Sequence, residues 1–439
     1  MSTRAAARRL ESLKKLIAHA REKLALDVGF VLWDGSTVPE SLAPDELAIT
    51  IADEGVVAGA LRRPNMVTLA NLWVSGRLDI RNGSIFDLVE RRPKVRTREI
   101  RRTLDKRLML ETALRFLFVP RGGPWPLEEV PKDRPSSGLA TENKDNIFYH
   151  YDFADEFYQL FLDPEMLYTS AYFSHWGEDL ATAQRNKLEL ICRKLNLKSG
   201  ETMLDIGCGW GALVCYAAQN FGVQAYGVTL SEQQCAFANK KIARLGLGDR
   251  VKVELKNYAA VDGEFDKISQ IEMIEHIGLQ NHPDFYRQIH RMLRPNGFYV
   301  HQASARLAKR DDKTFHKKRP EVQALSRYVI PGVDFDYIGM TLTNLERYGF
   351  EVHDVECLRE HHALTARIWH DALYRNREAA EREAGKVKTK LWLAYLAGCS
   401  IAFERNTSTV YQTLASKRRR GPSGLPPTRA AWYRGFGAS

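Results

Sequence analysis

The chain reads as an α/β protein: a mainly parallel sheet with helices on both faces, preceded by a smaller N-terminal α+β domain. Three observations predict this. Met203 to Ile206 fits a buried strand that runs into glycines at Gly207, Gly209 and Gly211, and the turn opens an apolar-periodic helix from Trp210 to Phe221. Beyond that turn, short apolar strands alternate with helix-length periodic segments, the pattern of crossover-connected parallel strands. Upstream, the Pro/Gly-rich stretch Pro120–Gly138 cannot hold a regular element and divides the chain.

Taken in order, Ala5–Ala25 has the periodicity of an amphipathic helix, Val28–Trp33 and Glu46–Ile51 alternate as strands, and Val67–Gly76 and Ser84–Glu90 fit short helices. The basic run Arg91–Arg107 suits either a solvated helix face or docking on anionic headgroups. After the linker, Asn143–Phe173 is dense in aromatic residues, as expected of a segment that wraps a cofactor and roofs an apolar tunnel. Leu180–Leu195 is the helix leading into the Met203 strand. Then follow strand Val223–Val228, helix Ser231–Leu245 with Ser231 as N-cap, strands Val251–Leu255 and Phe265–Ile271, helix Pro283–Leu293 and strand Phe298–Gln302. A basic insertion, Arg306–Pro320, precedes helix Met340–Tyr348, strand Glu351–Leu358, helices Ala363–Ala384 and Lys388–Phe403, and strand Thr409–Leu414. The domains expected are 1–119, a linker 120–142, a catalytic domain 143–416, and a basic, disordered tail 417–439 whose aromatics could touch a membrane.

A net charge of +10 attracts polyanions, so nucleic acid and anionic lipid both qualify on charge alone. No apolar run reaches the roughly 18 residues of a spanning helix, and the start of the chain lacks a secretory pattern, so a cytoplasmic protein is expected. The six cysteines show no CxxC pairing, so neither a disulfide framework nor a metal site is expected.

The glycine turn narrows the ligand. Its spacing is GCGWG rather than GxGxxG, and the following strand ends before Thr229 where dinucleotide sites usually carry an acid for the ribose. S-adenosylmethionine fits better. Two stretches, LDIGCGWG at Leu204–Gly211 and GVTLSEQQ at Gly227–Gln234, resemble the cyclopropane fatty acid synthase family, which includes mycolic acid cyclopropane synthases and methyltransferases. The HYD run at His150–Asp152, FYxLFLDP at Phe157–Pro164, YTSAYF at Tyr168–Phe173 and IEMIEHIG at Ile271–Gly278 carry the same resemblance. It implies a Rossmann-like class I S-adenosylmethionine methyltransferase domain with a mainly parallel seven-stranded sheet, and a dimer through the N-terminal domain.

For cofactor binding, Asp205, Gly207 and Gly209 serve the methionine end, Tyr168 and Thr169 close over it as the resemblance implies, Thr229 and Gln234 occupy the ribose positions, and Asn257 and Tyr258 frame the adenine. The family often has an acidic residue where Asn257 stands. The acceptor expected is an unsaturated acyl chain. Its cis double bond attacks the sulfonium methyl, aromatics such as Tyr172 and Phe173 shelter the resulting cation, and a base removes a proton. The resemblance places a bicarbonate ion as that base, on Glu275, His301 and the residues matching a Tyr and a Cys. Here those two are His362 and Ser170, both departures from the family. His362 could hold the anion or act as the base itself, or signal a methylated, unsaturated product without a ring.

The activity expected is methyl or methylene transfer to the double bond of phospholipid acyl chains by an enzyme associated peripherally with the inner face of an anionic membrane. A methyl-branched product is the runner-up, and an RNA methyltransferase or a non-catalytic lipid-binding relative are the rivals from other classes. No RNA-reading motif is present, so no nucleic-acid partner is expected.

Overall fold

The computed structural model describes residues 3–92, 102–128, 154–317, 327–330 and 332–436. Most of the basic run after Arg91, the linker from residue 129 on, the HYD run and the end of the 306–320 insertion lie outside those residues.

The chain divides into two compact units, 1–131 with 386–394, and 132–385 with 395–439. Lys386–Ala394, read from the sequence as part of the catalytic domain, therefore groups with the first unit. The reason is local: Lys390 Nζ donates to Asp79 Oδ2 at 2.6 Å and lies over the Trp73 ring, whose Nε1 donates to the Lys390 carbonyl.

In the first unit, strands β1 (Gly29–Val31), β2 (Thr37–Val38), β3 (Ala48–Ile51) and β4 (Leu78–Arg81) form a sheet in the order β2-β1-β3-β4, with only the β1–β3 pair parallel. Several of its helices, though not Glu54–Arg62, are capped by local side chains. Asn65 accepts from Thr68 N, and Ser84 and Asp87 form a reciprocal capping box. Helices Glu54–Arg62 and Lys106–Phe116 and strand β4 were not legible in the sequence, the last because its half-buried Leu-Asp-Ile-Arg pattern lacks an apolar run. Leu110, Leu114 and Phe118 are exposed, Phe118 at 81%.

In the second unit, the described residues form a seven-stranded sheet. Its strands are β5 (Thr202–Ile206), β6 (Gln224–Thr229), β7 (Val251–Leu255), β8 (Phe265–Ile271), β9 (Leu293–Arg306), β10 (Phe350–Cys357) and β11 (Ser408–Lys417), in the order β10-β11-β9-β8-β5-β6-β7. The pairs β5–β6, β6–β7, β5–β8 and β8–β9 are parallel, while β11 runs antiparallel to β9 and β10. This is the mainly parallel α/β sheet expected. Two apolar clusters fill its faces, one around Leu190, Val214 and Ala217 from helices Leu180–Lys194 and Ala212–Phe221, the other around Phe285, Ile289 and Met292 from helix His282–Met292. The order in which successive strands are laid down reverses between β5 and β8, which remain parallel, and that switch point opens a crevice at the strands' carboxyl ends.

The tail corrects an expectation. Residues 418–436 are not a free basic strand: Trp432 is buried against the first cluster with Tyr433 and Phe436 beside it, and Arg193 Nη1 donates to the carbonyls of Trp432 and Arg434. Three aromatic side chains bury enough apolar area to outweigh the loss of chain freedom that the basic composition suggested. Among the described residues no helix is long and apolar enough to cross a membrane.

Candidate active site

The crevice at the switch point is lined by the ends of β5, β6 and β8 together with the segment before helix Leu180–Lys194. Eight residues singled out from the sequence line it: Tyr168, Thr169, Asp205, Gly207, Gly209, Thr229, Gln234 and Tyr258. Glycine is required at Gly207, where φ is 75° and a Cβ would stand 2.7 Å from Met273 Cγ. The Gly207 and Cys208 N–H groups both donate to the Val228 carbonyl, which locks the turn against β6.

Asp205 is buried at the end of β5, and its Oδ1 accepts from Ser269 Oγ at 2.7 Å. Burial pushes its pKa up to about 6, against the pull of Ser269 and the Lys187 ammonium. Thr229 Oγ1 donates to Gln234 Oε1 at 2.8 Å and accepts from Ser231 N, so the Gln234 amide nitrogen is the donor left on that side. Ser231 caps its helix through Gln234 N, as expected. Tyr168 donates to Tyr395 and packs on Trp369, while Thr169 is held by Lys187 Nζ at 2.5 Å.

Five expectations fall elsewhere. Asn257 does not line the crevice: its oxygen accepts from Ala259 N and caps the short turn Tyr258–Ala260, so Lys256 and Tyr258 face the cavity instead. Tyr172 and Phe173 do not line it either. Tyr172 stacks on His361 and meets Phe436, and Phe173 packs with Ala171 and Ala183. Glu275 and His301, the expected holders of an external base, are buried behind the lining. Glu275 Oε1 accepts from Ser304 N at 2.6 Å, and burial, helped by the charge of Glu272, raises its pKa to about 8, so it carries its proton at neutral pH. Burial lowers His301 to about 3, leaving a neutral ring whose Nδ1 meets the Tyr299 hydroxyl at 3.0 Å.

The sequence reading missed a different carboxylate. Glu272, at the first turn after β8, lines the crevice together with Lys187, Trp210, Lys256, Met273 and His276. Its Oε1 accepts from Ser170 N at 2.9 Å and from Gln302 Nε2 at 2.6 Å, and its Oε2 stands 3.9 Å from His362 Nδ1. Ser170 and His362 are thus brought together around Glu272, while Glu275 Oε2, His301 Nε2 and His362 Nδ1 are buried atoms without a hydrogen-bond partner among the described residues. The Ser170 N–H that would serve an external bicarbonate is already engaged. The Ser170 hydroxyl turns to the Ala171 carbonyl. Burial lowers the pKa of His362, with Glu272 raising and Lys187 lowering it, and the ring packs edge-on against Phe403. The signal available in the sequence was a charge directly following the largely buried strand β8, in a run that holds two glutamates.

Comparison with known proteins gives consistent neighbours. Residues 139–413 match the family model for mycolic acid cyclopropane synthetase. A Pseudomonas putida protein named probable fatty acid methyltransferase is 32% identical over 94% of this chain and 98% of its own length. A Mycobacterium tuberculosis protein of the same description, Rv3720, is 32% identical over 90% of this chain and 93% of its own. Among solved structures, the cyclopropane synthase MmaA2 from Mycobacterium tuberculosis is 30% identical with a TM-score of 0.59, covering 62% of this chain and 98% of that one. The cyclopropane synthase CmaA1, complexed with SAH and CTAB, is 29% identical with the same TM-score, covering 62% of this chain and 98% of that one.

Proposed function

Because the chain belongs to the mycolic acid cyclopropane synthetase family, we propose that it is an S-adenosylmethionine-dependent methyltransferase that adds one carbon to the cis double bond of an unsaturated fatty acyl chain in a membrane phospholipid. The observation that carries the reading is the crevice itself: a glycine turn, a buried acidic acceptor at Asp205 and the aromatic rings of Tyr168, Trp210 and Tyr258 converge at a switch point.

The lining residues fit the cofactor. Asp205, held above the ordinary carboxylate range by burial, is an acceptor that an ammonium group would stabilise, and the Gly207 turn lets backbone come close. Gln234 Nε2 is a donor for ribose hydroxyls, and Tyr258 offers a flat face for adenine. When bound, S-adenosylmethionine supplies an electrophilic methyl that the alkene attacks, leaving a cation on the acyl chain. This chain's residues then have three tasks: exclude water, orient the alkene, and take up one proton. The buried surroundings of Ser170, His362 and Phe403 serve the first.

The exposed Leu110, Leu114 and Phe118, with Arg107 and Arg115 on the same helical segment, support docking on an anionic bilayer. A second reading concerns the product: a methyl-branched, unsaturated chain rather than a ring. It is favoured by the two relatives that align over nine-tenths of this chain, both named fatty acid methyltransferases.

The test is incubation with methyl-labelled S-adenosylmethionine and vesicles of unsaturated phospholipid. Label in the acyl chains is expected. Label in RNA, or tight cofactor binding with no transfer, would contradict the proposal. Proton NMR separates a ring, with its upfield signals, from a methylated alkene of the same mass.

A further inference from the structure

We infer that Glu272 is the base of this reaction, taking the place of an anion drawn from solution. The inference rests on the methyl-transfer reading above and names the residue that completes it.

Four observations converge. Glu272 lines the crevice alongside Gly207, Asp205 and Met273, whereas Glu275 and His301 do not. Its backbone sits at φ 52°, a left-handed conformation that a glutamate adopts at a cost and that persists where the surroundings hold it. The surroundings do hold it. Glu272 N donates to the Gln302 carbonyl at 2.7 Å, Gln302 Nε2 returns a bond to Oε1, and Gln412 Nε2 donates to Gln302 Oε1 at 2.8 Å, so a buried amide chain reaching across β9 to β11 fixes the carboxylate. Finally, Oε1 takes both the Ser170 and Gln302 bonds, while Oε2 makes no hydrogen bond among the described residues and faces the His362 ring at 3.9 Å. One oxygen positions the group; the other is left to accept a proton.

The groups that could compete are less well placed. Glu275 binds Ser304 N through Oε1 and leaves Oε2 unpaired, but it stands behind the crevice lining and is protonated at neutral pH; Lys187 is tied to Thr169. The step balances without an added reagent. The C–H bond next to the cationic carbon breaks and its proton goes to Glu272 Oε2, so the positive charge on the chain and the negative charge on the carboxylate cancel. The freed electron pair becomes a ring C–C bond if the hydrogen leaves the added methyl, or a C=C bond if it leaves the neighbouring chain carbon. His362 is then a positioning residue beside the base rather than the base.

The experiment compares wild type with Glu272→Gln, which keeps the shape but cannot take the proton, and Glu272→Gly, which suits the left-handed backbone and so folds. Glu272→Gln is expected to lower kcat by about 100-fold or more while S-adenosylhomocysteine affinity, read by calorimetry, stays close to wild type. In Glu272→Gly, added formate is expected to raise the melting temperature and restore part of the turnover, and to do neither in wild type. Glu272→Gln turning over at the wild-type rate, or Glu272→Gly that formate neither stabilises nor reactivates, would overturn the inference while leaving methyl transfer standing. A wild-type protein that methylates no unsaturated lipid would overturn both.

Discussion

The turn after β5 and the turn after β8 both leave the sheet through left-handed backbone, at Gly207 with φ 75° and at Glu272 with φ 52°. The first uses the residue that adopts this conformation freely, and it has to: a Cβ there would meet Met273, a side chain of the second turn, at 2.7 Å. The second turn keeps a side chain at a cost of about 1–3 kcal/mol and surrounds it with donors from Ser170 and Gln302. The difference teaches how to tell a turn shaped for close approach from one shaped to present a group. At Gly207 the absence of a side chain is the function; at Glu272 strain is tolerated because the side chain is the function.

Within the second turn the largest stability effect is expected at Glu275. Glu275 is held protonated by burial, with a folded pKa of about 8 against an ordinary 4.5. Its folded-state pKa is raised, so the stability it contributes is complete below about pH 4.5 and is lost as the pH climbs toward 8. Glu275→Gln, a neutral isostere, removes that loss, and the variant should exceed wild type by about 4 kcal/mol at pH 8 while nearly matching it at pH 4.5, as read from urea denaturation midpoints. If Glu275 instead ionised in the ordinary carboxylate range near 4.5, the gap between the curves would be absent. Gly207→Ala breaks the comparison from the other side. Forcing a side chain into φ 75° against Met273 should cost about 1–3 kcal/mol of stability and weaken S-adenosylhomocysteine binding in calorimetry. The smallest effect is expected from Asn257→Ala. Its oxygen caps Ala259 N and does not face the crevice, so stability should fall by about 1 kcal/mol with the cofactor affinity unchanged.

What was legible follows from what leaves a pattern in sequence. The β5 turn announces itself through Gly207, Gly209 and Gly211, the helix after β6 through its Ser231 cap, and the parallel core strands through apolar residues, so most residues lining that end of the crevice were legible. Glu272 was not, because the sign of φ leaves no trace in a one-dimensional sequence and the run Ile271–Gly278 offers two glutamates, of which family register favoured Glu275. That Tyr172 and Phe173 do not line the crevice was not legible either. Contacts with His361, Phe436 and Ala183, all distant in sequence, hold both rings off the crevice lining. The tail was misread because its charge is obvious and the partners of Trp432 and Phe436 are not: the aromatic rings rest near Arg193 and Lys194, more than two hundred positions earlier. Helix Lys106–Phe116 was obscured by the basic run that overlaps its first turn.

The most direct test of the account is the initial rate of methyl transfer by the wild-type protein in buffer freed of carbon dioxide, titrated with bicarbonate. A protein whose base is Glu272 turns over at full rate without bicarbonate and shows no dependence on it. A rate that falls away in the depleted buffer and returns with added bicarbonate would contradict the account.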